Sequence, residues 1–218
     1  MEKETIKKIF DFLEEKEGAI PKNNLRWKLL FNKPLTEEEL NIKGDLDLHH
    51  LKITSLPVGL KVGGNLNLMY SSIESLPEGL KVEGDLILTF SRIQSLPEGL
   101  KVGKHLFLAY SKITSLPKGL KVGGNLHLNY TSISSLPNDL KIRGFLDLYS
   151  CKDLISLPEG LKVGKYLNLK DTKITSLPKG LEVRGVLYIE NTPLRKYTDG
   201  QLREMVYPGF IKGKISRL

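Results

Sequence analysis

The sequence predicts a solenoid of eight coils, with a short-stranded parallel β-sheet on one face, extended and turn segments on the other, and caps at both ends. Three observations predict it. The phrase Leu-x-Leu, four residues, Ile, two residues, Leu-Pro, then x-Gly-Leu-Lys-Val recurs from Leu46 to Ile189. Its period is 20 residues, slipped once to 21 between Cys151 and Leu154. Proline recurs at one fixed place from Pro57 to Pro178, and glycine follows it two residues on in all but one of those copies. A constant period of this length means that no unit buries its apolar side alone, so stacking supplies the core.

The Leu-x-Leu pairs, from Leu46 and Leu48 to Leu187 and Ile189, alternate with polar residues and read as strands with one face inward. Ile53 to Leu194, Leu56 to Leu177, Leu60 to Leu181 and Val62 to Val183 form further inward columns. At roughly 25 cal/mol per Å² of apolar area, these columns are the main stabilising term. Pro57, Pro77, Pro97, Pro117, Pro137, Pro158 and Pro178 forbid a long helix behind each strand and favour extended backbone. Gly59 and its equivalents predict a turn at positive φ, with Asp139 adopting that conformation in the one coil lacking the glycine. Gly at one of two adjacent places before each strand, as at Gly63 and Gly64, predicts a second tight turn.

With these residues in hand, Leu66-Asn67-Leu68-x-x-Ser71-x-Ile73-x-x-Leu76-Pro77 resembles the short bacterial type of leucine-rich repeat. That type is found in the repeat domains of Yersinia outer protein M, in the invasion plasmid antigen H effectors and in phage proteins. The resemblance implies a leucine-rich-repeat solenoid, with the sheet concave and used for protein binding by a bacterial effector or phage protein acting on a host component. Where that family stacks Asn, this chain has Ser71, Ser91, Ser111, Thr131, Cys151 and Thr172, so a ladder to the backbone is expected to run through smaller groups. Nothing resembles the catalytic domain that follows the repeats in the ligases.

Residues 1–44 read as a helical N-terminal cap, 45–194 as the repeats, and 195–218 as a C-terminal cap with a basic tail. Ile6, Ile9, Phe10 and Leu13 place an amphipathic helix over Glu2 to Glu17, broken by Gly18 to Asn23. Leu25 to Phe31 is an apolar run holding the only Trp, and Thr36 to Glu39 has the form of a capping box for a short helix. Thr198 and Gln201 form a second box for a helix to about Val206, and Phe210, Ile211 and Ile215 predict a last strand.

No run approaches the roughly 18 apolar residues of a membrane span. Met1 to Phe12 lacks an apolar signal core, so Sec-dependent export is not expected, while delivery into a host cell by another route stays open. One cysteine allows no internal disulfide and suits the cytoplasm of a bacterial or phage-infected cell.

Function is sought in what varies while the framework repeats. The outward residues within the Leu-x-Leu pairs run Asp47, Asn67, Ile87, Phe107, His127, Asp147, Asn168 and Tyr188. Those just after run His49, Met69, Thr89, Ala109, Asn129, Tyr149, Lys170 and Glu190. The next position holds His50, Tyr70, Phe90, Tyr110 and Tyr130, then Ser150. Four aromatics at strand spacing make a stripe of roughly 15 Å, either an interface or a self-packing ladder. The expected partner is a protein or peptide held on this face, with preorganisation limiting the entropy lost on binding.

The alternative reading uses the net charge of +8. Lys61, Lys81, Lys101, Lys121, Lys141 and Lys162 form a column on the turn side of each coil and, with the basic tail, suggest anion or nucleic-acid binding. The same lysines also serve simply to keep the back of the solenoid soluble, with Glu78, Glu98 and Glu159 diluting the field. No catalytic set emerges. His127 and Asp147 share a face on adjacent coils and could form a hydrogen-bonded pair, but without a nucleophile, His105 and His127 lack a third metal ligand, and no phosphate-cradling loop is present. The chain is therefore read as a non-catalytic binding module with no cofactor and no metal.

Overall fold

The protein's structure, a computed structural model, describes residues 25–217. The helix expected over Glu2 to Glu17 and its break at Gly18 to Asn23 lie outside the described residues. The chain is a parallel β-solenoid with 20-residue repeats, and each coil gives a two-residue strand to each of two nine-stranded sheets. One, the lysine sheet, runs from Asn41–Ile42 through Lys61–Val62 and its equivalents to Phe210–Ile211. The other, the leucine sheet, runs from Leu46–Asp47 to Ile215–Ser216. The lysine sheet corrects the sequence reading, which put the Lys-Val segments on turns.

Strands pair in parallel with their equivalents one coil away, as in Leu66↔Leu86 and Lys81↔Lys101. The two sheets donate in opposite senses. Leu66 and Leu68 give their N–H groups forward to Asp85 and Ile87, both at 2.8 Å, whereas Glu83 and Gly103 give theirs back to Val62 and Val82, both at 2.9 Å. Every interior coil is thus bonded to both neighbours on both sheets, which meets the demand that buried backbone groups be paired.

The Leu, Ile and Val columns expected to face inward are all buried in one continuous core. The extra residue of the 21-residue coil is absorbed in an outer turn at Lys152 and Asp153, so Cys151 and Leu154 stay buried and Leu146↔Leu167 keeps its register.

The two glycine columns have different causes. Gly79, at φ 74°, lies in the left-handed region with open space beside it, as expected. Asp139 does not share that conformation. Its carboxylate instead accepts the Gly119 N–H at 2.8 Å, a role filled for Gly99 by the Lys118 carbonyl. The glycines before the leucine sheet are not needed for positive φ. A Cβ at Gly144 would overlap the Asn125 side-chain oxygen and the Gly124 carbonyl, so glycine there permits close approach of the preceding coil.

Helix α1 (Leu25–Leu30) buries Leu29 in the core of the coils and Trp27 beside Phe31, 5.7 Å between ring centroids. Thr36 and Glu39 exchange the two bonds of the expected capping box, at 3.0 and 3.3 Å, but the chain turns at 37–40 and enters the lysine sheet, so no helix follows. At the other end, a 3-10 turn at Pro193–Lys196 precedes helix α2 (Asp199–Met205), which carries the expected Thr198–Gln201 capping box. The last expected strand proves to be two, Phe210–Ile211 and Ile215–Ser216, which add a ninth row to both sheets. Among the described residues no helix is long and apolar enough to cross a membrane.

The two glycine classes should respond differently to alanine. Gly79→Ala is expected to cost about 1 kcal/mol, the left-handed penalty alone, and Gly79→Asn less. Gly144→Ala is expected to cost on the order of 3 kcal/mol, because the added methyl forces two coils apart. Denaturant unfolding of the three variants checks the order.

Candidate partner-binding face

The aromatic column sits where the backbone is least hospitable to it. His50, Tyr70, Phe90, Tyr110 and Tyr130 have φ between 57° and 59°, the left-handed region, which bulky residues rarely occupy. In later coils the same place, with φ between 51° and 58°, holds Ser150, Asp171 and Asn191, of which Asp and Asn tolerate it well. Left-handed geometry costs roughly 1–2 kcal/mol per residue, so the aromatic side chains are retained against a local preference.

What they gain is visible in the stack. Ring centroids lie 4.6 Å apart from His50 to Tyr70, 4.9 Å to Phe90, 4.5 Å to Tyr110 and 4.4 Å to Tyr130, with planes within 15° of parallel. Tyr149 ends the stack edge-on, 4.9 Å from Tyr130. Each aromatic pair is worth about 0.5–1.5 kcal/mol, so an interior ring with two neighbours roughly offsets its backbone strain. The ring faces are spent on one another, yet the side chains from Tyr70 to Tyr130 remain 40–46% exposed, presenting edges and phenol groups. The Tyr110 phenol is held above its ordinary range chiefly by crowding from its neighbours, and that of Tyr130 chiefly by its hydrogen bond with Tyr149.

Beside this rim lies the outward face of the leucine sheet. Its centre is apolar and aromatic, made by Ile87, Phe107 and His127, all half-buried. Polar residues flank this centre, Asp47 and Asn67 on one side and Asp147 and Asn168 on the other, with half-buried Tyr188 beyond Asn168. The polar side chains also brace the backbone, since Asn67, Asp147 and Asn168 each accept the N–H two residues on at 3.1 Å. Met69, Asn129 and Tyr149 bridge the sheet face and the rim.

The expected His127–Asp147 hydrogen bond is not made, although the two residues are in register. His127 stacks on Phe107 at 4.5 Å and meets Phe145 edge-on at 4.7 Å, while the Asp147 oxygen takes the Tyr149 N–H and the Asn168 amide, the latter at 2.9 Å. Burial between the two rings holds the His127 imidazole below its ordinary range despite the attraction of Asp147.

The expected Ser and Thr column does bond to the backbone, but mostly within each coil, and a second column carries the ladder between coils. Ser91, Thr131, Thr172 and Thr192 turn inward and donate to the carbonyl three residues back in their own coil, at 2.6–2.7 Å. Cys151 alone reaches the previous coil, at the Leu128 carbonyl, and burial pushes its thiol up to about 11. The true ladder stands just before each leucine strand. Asp45, Asn65 and Asp85 accept the N–H of the residue one coil on, at 2.7–2.9 Å, His105 does so through Nδ1 at 2.9 Å, and Asn125 at 3.1 Å. The signal was a column of five acceptors followed by Phe145 and Tyr166, which stack at 4.2 Å where the ladder stops.

The lysine column lies apart from this face, on the lysine sheet, and every member from Lys61 to Lys162 is exposed. No family model matches the chain, and no curated protein is similar to it.

The depressed His127 imidazole sets a pH dependence. Because the folded state takes up this proton less readily than the unfolded chain, stability is full above the ordinary value of 6.5 and declines as pH falls through it. His127→Phe keeps a ring between Phe107 and Phe145 without a titrating group. The variant is expected to lose less melting temperature than the parent between pH 7.5 and pH 5.5, values chosen about one unit to either side of that midpoint.

Proposed function

We propose that this protein is a non-catalytic binding module that holds a protein or peptide on the outward face of the leucine sheet and the aromatic rim beside it. The observation that carries the reading is the rim: aromatic side chains kept at left-handed backbone positions, where Asn or Asp would be relaxed, and left with exposed edges. The neighbouring face has the layout of an interface, with an apolar centre at Ile87, Phe107 and His127 flanked by polar residues. Because stacking and backbone bonds hold these groups, binding would order few side chains, and the affinity gained per contact rises accordingly. With the ring faces occupied, the partner is met by ring edges and phenols, which suits polypeptide better than a ligand that must lie flat on an aromatic ring.

We also read the repeat as the short bacterial type of leucine-rich repeat and the helical ends as its caps. The Leu-x-Leu and Leu-Pro spacing supports this, and an effector or phage protein acting on a host component follows from the resemblance. The residues in contact would be Tyr70, Phe90, Tyr110, Tyr130, Ile87, Phe107, His127 and Tyr149.

The left-handed geometry dictates the test variant. Replacing Tyr70, Phe90, Tyr110 and Tyr130 by Asn relieves backbone strain as it removes the rings, so circular dichroism is expected to show an intact fold with a melting temperature changed by only a few degrees. In a nuclease-treated pull-down from host lysate, a protein retained by the parent and lost by the variant is the expected result. Equal retention by both would overturn the reading.

A further inference from the structure

We propose a second, independent site: the lysine sheet is a track for a linear acidic polysaccharide carrying about one carboxylate per sugar. The register pairs Lys61↔Lys81, Lys81↔Lys101 and Lys101↔Lys121 directly, Val122↔Ile142 sets Lys141 beside Lys121, and Lys141↔Lys162 completes the row. Strands in a sheet are about 4.8 Å apart, and like charges at directly opposed positions destabilise it. Nothing in the fold demands this charge, because the position points outward and accepts Asn41, Glu182 and Phe210 in other rows.

The row is also left open. Among the described residues, Lys61, Lys81, Lys101, Lys121 and Lys141 make no ion pair. Only the last, Lys162, is neutralised, by Glu182 at 2.5 Å. The middle of the row borders a groove of about 790 Å³ whose charged lining is five cations, Lys81, Lys101, Lys121, Lys141 and Arg143, against two acids, Glu83 and Asp139.

Geometry selects the ligand class. The charges form one row running from coil to coil, one per strand spacing, and a pyranose unit in an extended chain advances by a similar distance. A DNA strand carries a charge about every 3.4 Å, and single-stranded nucleic acid is usually held by aromatic platforms. The lysine strands offer only Phe210 at the far end as an outward aromatic. Ammonium groups on flexible stems suit carboxylates spaced singly along a chain.

The probe is an eight-sugar oligogalacturonate titrated into the intact protein at low salt, with a single-stranded oligonucleotide of equal charge as comparison. Two triple variants remove the same charge, Lys101→Gln, Lys121→Gln and Lys141→Gln on the track, and Lys52→Gln, Lys112→Gln and Lys173→Gln at exposed positions outside the lysine sheet. Binding is expected to weaken at least about tenfold in the track variant, with a shallower salt dependence, and to persist in the control. The track variant is expected to melt no lower than the parent, since it loses only repulsion. Failure of the parent to bind the uronide, equal loss in both variants, or tighter binding of the oligonucleotide would overturn the proposal. Each result leaves the aromatic-rim reading untouched, because the two sites share no residue.

Discussion

The bond between neighbouring coils is the interaction on which everything else here depends. A two-residue strand has almost no stability of its own, and a 20-residue coil cannot enclose its leucines. Only when the leucine strand donates forward and the lysine strand donates back does each coil satisfy its backbone and close the core. Close approach follows from this, and with it the glycines beside the Asp45-to-Asn125 ladder, where a methyl group would strike the preceding coil.

The same constraint creates the surfaces. Whatever residue occupies an outward position is repeated beside itself at strand spacing, so one side chain becomes a row. Aromatic residues at the left-handed position become a stack, acceptors before the strand become a ladder, and lysines become a line of like charge. A row of the wrong kind accumulates its cost along the solenoid. The aromatic stack offsets its backbone strain through ring contacts, while the lysine row has no compensating partner before Glu182, and that asymmetry separates the two candidate sites.

Much of this architecture was legible from spacing. The period placed every buried Leu, Ile and Val of the repeat columns, because inward columns need only regular recurrence. Positive φ at Gly79 was legible from glycine itself, but the same conformation at Tyr70 or Phe90 was not, since those residues seldom adopt it. Asp139 misled for the converse reason: a residue that tolerates left-handed backbone used its carboxylate to replace a carbonyl instead. The second sheet was hidden because Lys-Val pairs next to glycines look like turns until neighbouring coils are in register. The His127–Asp147 bond was inferred from adjacency alone, and flanking rings at Phe107 and Phe145 gave the imidazole a different environment.

Native-state hydrogen exchange, read amide by amide, addresses the coil-to-coil account most directly. The amides of Asn65, Asp85, His105, Asn125 and Phe145 donate to side chains of the preceding coil rather than to backbone, so they are expected to exchange as slowly as the neighbouring strand amides of Leu66, Leu86 and Leu106. Fast exchange at those five positions, with protection confined to the leucine strand, would contradict the claim that the ladder and the sheets lock adjacent coils as one unit.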